Sequence, residues 1–166
     1  MSSRFFLAAG VLALAGCGFQ LRGSATVPFN SLYIPNATTG VALDLKRNIE
    51  VGTQAKVVSD PKTAEAILDL FGENKEKIIL SLTGTGRVRE YRLRYTVSYR
   101  VHDGKGAEYV PRTIVQLTRD VTYSDTEILA KEAEEQLLFR DMQTDLVQQI
   151  LRRLASAEKQ PKPVPK

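Results

Sequence analysis

The chain has 166 residues, with 23 Lys and Arg against 19 Asp and Glu, one His and one Cys. A net charge of +4 is too mild to argue for a nucleic-acid partner, and a single cysteine excludes an internal disulfide and a thiolate metal cluster. The length suits one well-buried domain and leaves too little for two.

Arg4 supplies a positive start, residues 5–15 form an apolar run too short to span a bilayer core, and Leu14-Ala15-Gly16 brings small residues up against the lone Cys17. This is the pattern of a bacterial lipoprotein signal. Residues 1–16 are expected to be removed, leaving Cys17 as the acylated first residue of the mature chain. With its sulfur held in a thioether, Cys17 offers no thiolate as nucleophile or metal ligand. Several acyl chains on one residue would hold the domain at a membrane surface essentially permanently.

Cys17 runs directly into Gly18-Phe19-Gln20-Leu21-Arg22-Gly23. A lipobox followed at once by Gly-Phe-x-Leu-Arg-Gly resembles the start of the lipopolysaccharide-assembly lipoproteins, the LptE family, and the order of elements to about Leu154 is similar to that family's. The resemblance implies the plug subunit of the outer-membrane lipopolysaccharide translocon. Its partners would be the β-barrel protein LptD, lipopolysaccharide, and outer-membrane lipid through the acyl anchor, with no cofactor. Gly18 stands where lipoproteins retained at the inner membrane carry aspartate, which also implies the outer membrane.

Residues 17–30, with Gly18, Gly23, Ser24, Pro28 and Asn30, read as an extended lipidated tether. Residues 31–34 form a short strand closed by Pro35-Asn36. From 39 to 51 the apolar Val41, Ala42, Leu45 and Ile49 recur at helical spacing opposite Asp44, Lys46, Arg47 and Glu50, and Gly52 stands at the C-cap. The returning strand is either residues 55–58 or the segment after Thr63. Residues 66–71 and 78–82 are strand-like and lack a tight-turn dipeptide between them, which favours one long strand with an irregularity over a hairpin.

The clearest period is Tyr91, Leu93, Tyr95, Val97, Tyr99 and Val101 alternating with Arg92, Arg94, Arg100 and other polar residues: a strand apolar on one face and basic on the other. Asp103-Gly104-Lys105-Gly106 signals a hairpin to a partner strand over 113–123. Ser124-Asp125-Thr126-Glu127 has the form of a capping box for a long helix whose apolar face carries Leu138, Met142, Leu146, Ile150 and Leu154, with Leu129, Leu137 and Val147 beside them. Acidic residues in its first turn and Arg152-Arg153 in its last suit the helix dipole. Residues 156–166, rich in lysine and with Pro161, Pro163 and Pro165, read as a disordered basic tail. The predicted fold is one α+β domain over residues 31–155, a two-layer sandwich of two helices on one face of a roughly four-stranded mixed sheet.

Catalytic signals are nearly absent. His102 is the lone histidine and stands at a strand end beside a turn, and no H-E-x-x-H, G-x-S-x-G or P-loop pattern occurs. Ser156-x-x-Lys159 lies in the tail without companion motifs. Gly84-Thr85-Gly86 begins like a phosphate loop, but Arg89 occupies the last glycine position and a strand follows, so it reads as a turn. No enzymatic role and no metal site follow from these residues.

What remains is a basic cluster. Arg87 and Arg89 occupy the turn, Arg92 and Arg94 follow along the strand, and Lys131 early in the long helix would present its ammonium on the same side. Guanidinium forks match phosphate oxygens, so these five are the candidates for binding lipopolysaccharide, against the alternative of a solvated face that uses charge to prevent aggregation. Two functions compete. One is plugging and assisting assembly of LptD; the other is a lipid-anchored periplasmic accessory of an inner-membrane lipid transport system.

Overall fold

The computed structural model describes residues 26–124, 127–158 and 160–163; the signal segment, Cys17 and most of the tether lie outside them. In chain order the elements are β1 (Ser31–Tyr33), α1 (Gly40–Gly52), β2 (Lys56–Val57), a 3-10 turn (Pro61–Thr63), β3 (Ala66–Leu82), β4 (Val88–His102), β5 (Ala107–Thr122), α2 (Ile128–Ala155) and β6 (Lys162–Pro163). They form one mixed sheet in the order β2-β1-β3-β4-β5-β6, with β1 parallel to β2 and β3 and the remaining pairs antiparallel. Two helices pack against it, so the α+β sandwich is as predicted, with six strands in place of four. The additional pair are two-residue strands at the sheet edges, too short to leave a period in the sequence.

The core follows from the alternation in β4. Leu93, Tyr95, Val97, Tyr99 and Val101 are all buried, and the residues between them face away from the helices. β3 is a single 17-residue strand, and its pairing to β4 shifts register between Leu70 and Gly72. The extra residue there reverses which residues face inward: Ala66 and Leu68 before it, Glu73, Lys75 and Lys77 after it, opposite Val97, Tyr95 and Leu93. A segment that looks polar throughout therefore still obeys a period of two. From α1 the sheet receives Val41, Leu45 and Ile49; from α2 it receives Met142, Leu146, Val147, Ile150 and Leu154. Each such side chain contributes about 1.5–3 kcal/mol on leaving water.

Several local expectations give way. Gly52 is the last helical residue of α1, and the C-cap is Thr53, whose amide and hydroxyl both donate to the Ile49 carbonyl at 3.1 and 2.9 Å. At the other end Thr39 provides no side-chain cap, and the Val41 amide donates instead to the Glu73 carboxylate of β3 at 3.2 Å. Gly40 has φ +59°, a left-handed conformation that favours glycine, and a β-carbon there would stand 2.6 Å from that carboxylate and displace it from the Val41 amide. α2 begins at Ile128 with Glu127 at its N-cap and no side-chain cap bond; the Glu127 amide donates to the Ser124 carbonyl, a turn in place of the capping box. Asp125 and Thr126 lie outside the described residues. The first turn holds no acidic residue, whereas Arg152 and Arg153 do close the last turn.

Leu129 and Leu137 are exposed at 81% and 56%. At 100° per residue Leu137 lies opposite the stripe of Met142, Leu146 and Ile150 and does not belong to the buried face, whereas Leu129 falls near the edge of the stripe but stands in the first turn of α2, ahead of its first buried residue. Beyond α2, Lys162 and Pro163 pair with Glu108 and Ala107 at the sheet edge, where the tail was expected to form no sheet. An edge position tolerates proline because no ladder bond is required on its outer side.

A polar chain crosses the layers at mid-sheet. The Tyr95 hydroxyl donates to Glu73 and lies 3.1 Å from the Gln143 amide oxygen, while the Gln143 amide nitrogen donates to Asp44 at 2.7 Å. It joins β3, β4, α2 and α1. Burial, then the bond to the Glu73 carboxylate, pushes the Tyr95 phenol well above its ordinary range.

Candidate functional site

β3, β4 and β5 run on past β1 and α1 to a distal end built by the β3–β4 turn. There the Thr83 amide donates to the Arg87 carbonyl at 2.7 Å, the Gly86 amide to the Thr83 carbonyl at 2.9 Å, and the Arg87 amide to the Thr83 hydroxyl at 3.1 Å. Gly86 takes φ +80°. Gly84-Thr85-Gly86 is thus the tip of a hairpin turn, with the Gly86 amide committed to the Thr83 carbonyl. It presents Arg87 and Arg89 at an exposed tip beside Leu82, which is 55% exposed.

The outer sheet face, away from the helices, is a ladder of paired charges. Arg92 makes two bonds to Asp120 at 2.7 and 2.8 Å, Arg94 bonds Glu76 at 3.1 Å, and Arg100 bonds Asp69 at 2.9 and 3.1 Å. His102 shares Asp69 through Nε2 at 3.0 Å. The bonds between Arg92 and Asp120 raise the guanidinium and lower the carboxyl from their ordinary values. Exposed pairs of this kind stabilise by only about 0–1 kcal/mol each, so their main effect is to make the face polar and close to neutral. A phosphate approaching Arg92 or Arg94 has to compete with a carboxylate already in place.

Lys131 lies on the other side. It pairs with Glu134 at 2.8 Å and lines a small cleft with Lys77, Tyr91, Tyr123 and Glu135 between the sheet and the start of α2. Arg92 points outward and Tyr91 inward, so Lys131 does not share a face with Arg92 and Arg94, contrary to expectation. What the five residues share is one end of the molecule: the Tyr123 amide donates to the Arg89 carbonyl at 2.8 Å, and α2 begins a few residues later.

Sequence reasoning missed the inward lysines of β3. Lys77 sits 4.4 Å over the Tyr91 ring and pairs with Glu135; Lys75 sits 4.7 Å over Tyr95. Tyr91 meets Tyr123 edge to face at 5.4 Å. A period of two carried across residues 66–82, with its parity reversed at the bulge, would have found them. Among the described residues no His, Cys, Asp and Glu cluster is arranged to hold a metal, and no helix is long and apolar enough to cross a membrane.

The solution NMR structure of an uncharacterized lipoprotein B from Nitrosomonas europaea superposes with a TM-score of 0.72 at 42% identity, covering 84% of this chain and 91% of that one. The domain therefore has the fold of a bacterial lipoprotein. The model of the LptE family, described as lipopolysaccharide-assembly, matches residues 28–154, and the chain belongs to that family. Among its relatives are the LPS-assembly lipoproteins LptE of Photorhabdus laumondii subsp. laumondii, 27% identical over 93% of this chain and 87% of that protein, and of Yersinia enterocolitica, 28% identical over 89% and 72%. Family membership supports a role in lipopolysaccharide assembly.

Proposed function

We propose that the chain is a non-enzymatic outer-membrane lipoprotein, anchored through acylated Cys17, that occupies the lumen of the LptD β-barrel, assists its assembly and takes part in delivering lipopolysaccharide to the outer leaflet. The observation that carries this reading is the long, charge-paired meander. β4 runs from Val88 to His102. Its 15 residues extend about 45 Å, comparable with a bilayer of roughly 40–45 Å including head groups. The outer face carries balanced ion pairs with apolar side chains such as Phe71 and Ile114 among them, a mixed polar surface that suits the hydrophilic interior of a barrel better than lipid.

The described chain begins at the opposite end from the hairpin, where the Val27 carbonyl accepts from Gln54 next to β2. An acyl anchor attached there and a hairpin pointing away from it would put Arg87 and Arg89 on the far side of the membrane from the anchored leaflet. In this reading Arg87 and Arg89 meet the lipid phosphates first. Arg92, Arg94 and Lys131 contribute by exchanging a carboxylate partner for phosphate.

Purification of the full chain from detergent-extracted membranes tests the proposal. The expected result is a mature N-terminus at Cys17 carrying acyl mass, in stable complex with a large heat-modifiable β-barrel. Recovery of an inner-membrane ATPase or permease in its place would establish the transporter-accessory role.

A further inference from the structure

β3 is open along most of one side. β1 pairs with it only at Ala66 and Ile67, then turns away at Pro35 into α1, so among the described residues no strand lies beside residues 68–82 on that side. Alternate amides and carbonyls of β3 are left there without a ladder partner. A cleft of about 550 Å³ opens where β1 leaves the sheet, lined by Pro35, Asn36, Thr39, Asp69, Phe71 and Glu73. It lies along the line an added strand would follow.

The two long edges of the sheet differ in how they are protected. β5, the opposite edge, carries Pro111, Arg112, Arg119 and Asp120, the proline and charges that discourage strand addition. β3 ends in Ile78-Ile79-Leu80-Ser81-Leu82, with no charge, proline or glycine, and Ile79, Leu80 and Leu82 are 54%, 41% and 55% exposed. An uncharged β-forming run on an open edge is an aggregation hazard unless something covers it. The bulge at Leu70–Gly72 does not reach it; two further shifts, between Ile79 and Ser81 and between Ser81 and Leu82, fall inside the run and leave Leu80 without a partner on β4, so the regular part of the open edge is residues 74–79.

We infer that the open edge of β3 receives an extended segment of the barrel partner, which adds a strand to the sheet next to residues 74–82. The inference rests on the proposed placement in the barrel. Main-chain hydrogen bonds would supply the register, and the side chains of β3 specify the segment's chemistry. Apolar residues would lie against Ile79, Leu80 and Leu82. Acidic ones would lie toward Lys75 and the turn with Arg87 and Arg89. Glu73 and Glu76 of β3 are already bonded to Tyr95 and Arg94, so a second copy of this chain would bring chiefly Lys75 and the arginines of the turn against their own kind, and charge favours an acidic segment over it.

Residue-resolved amide hydrogen exchange on the full lipidated chain, alone in detergent and in complex with LptD, tests this. In the chain alone, alternate amides of residues 74–79 are expected to exchange rapidly while their neighbours, bonded to β4, are protected. In the complex these fast amides should slow by at least about a hundredfold. Leu80→Lys, which alters an exposed side chain, should leave the thermal midpoint unchanged and weaken the complex by about tenfold or more. A stable complex in which the fast amides stay fast would overturn the inference and leave the lumen placement standing. Edge amides already slow in the chain alone would also overturn it, since a second copy or the chain's own N-terminal segment would then cover the edge. Failure of any complex to form would remove the placement and the inference together.

Discussion

Leu146→Asp is expected to unfold the domain or to lower its stability by about 5 kcal/mol or more. Leu146 is fully buried near the middle of the stripe that α2 lays on the sheet. Removing a buried leucine costs about 2–5 kcal/mol. A carboxylate in the same space adds a desolvation cost of several kcal/mol, since among the described residues no charged side chain is buried in the core to receive it. The total approaches the roughly 5–15 kcal/mol that keeps a whole domain folded. Leu137→Asp on the same helix is the control. That side chain is 56% exposed, and its replacement should change stability by no more than about 0.5 kcal/mol. Thermal midpoints of the two variants in the chain from Gly18 onward make the comparison, and equal midpoints would show that the helix packs through a different face.

Arg87→Glu combined with Arg89→Glu is expected to weaken binding of lipopolysaccharide about tenfold or more near 0.1 M salt, because charge-assisted hydrogen bonds to phosphate contribute about 1.5–3 kcal/mol each before screening. Both residues stand at an exposed turn closed by main-chain bonds, from the Thr83 amide to the Arg87 carbonyl and from the Gly86 amide to the Thr83 carbonyl, which side-chain substitution leaves available, so the hairpin should persist. Exposed contacts are screened over about 10 Å at this ionic strength, so wild-type binding should itself fall as salt rises while the double variant responds less. Arg92→Glu is a poorer probe. It would set a second carboxylate against Asp120 and disturb the sheet along with the binding. Binding indifferent both to salt and to the double substitution, on a folded protein, would reduce the tip to a solvated turn.

The parts of the fold legible in the sequence are those in which a long element buries one face. β4 declared itself through five alternating buried residues, and α1 through Val41, Ala42, Leu45 and Ile49. The parts that were not legible depend on contacts distant in sequence. Glu73 caps α1 from a strand more than thirty residues away, so Thr39 needs no capping side chain and the local signal is silent. At Ser124 a local signal was present and lost, since the chain uses that carbonyl for a turn and starts the helix at Ile128. β2 and β6 are two residues each and exist through their neighbours' hydrogen bonds.

The candidate site was legible in composition and not in arrangement. Every basic residue singled out does stand toward the hairpin half of the sheet, but a strand sends Tyr91 and Arg92 to opposite faces, and this separates Lys131 from Arg92 and Arg94. The carboxylates Glu76 and Asp120, which neutralise the outer face, come from the two neighbouring strands and acquire meaning only with the register. That same register makes the meander a polar wall suited to a barrel interior.

The central claim is that this wall lies inside the barrel with the hairpin directed away from the anchor. A photoreactive residue at Thr85, in the exposed turn between β3 and β4, addresses it in intact cells when paired with a second at Lys56, at the opposite end of the sheet. Thr85 is expected to capture the lumen wall of LptD near its outward-facing rim, and Lys56 only periplasmic segments. Capture of an inner-membrane transporter at both positions, or of LptD's periplasmic portion from Thr85 and its outer rim from Lys56, would contradict the placement or its direction.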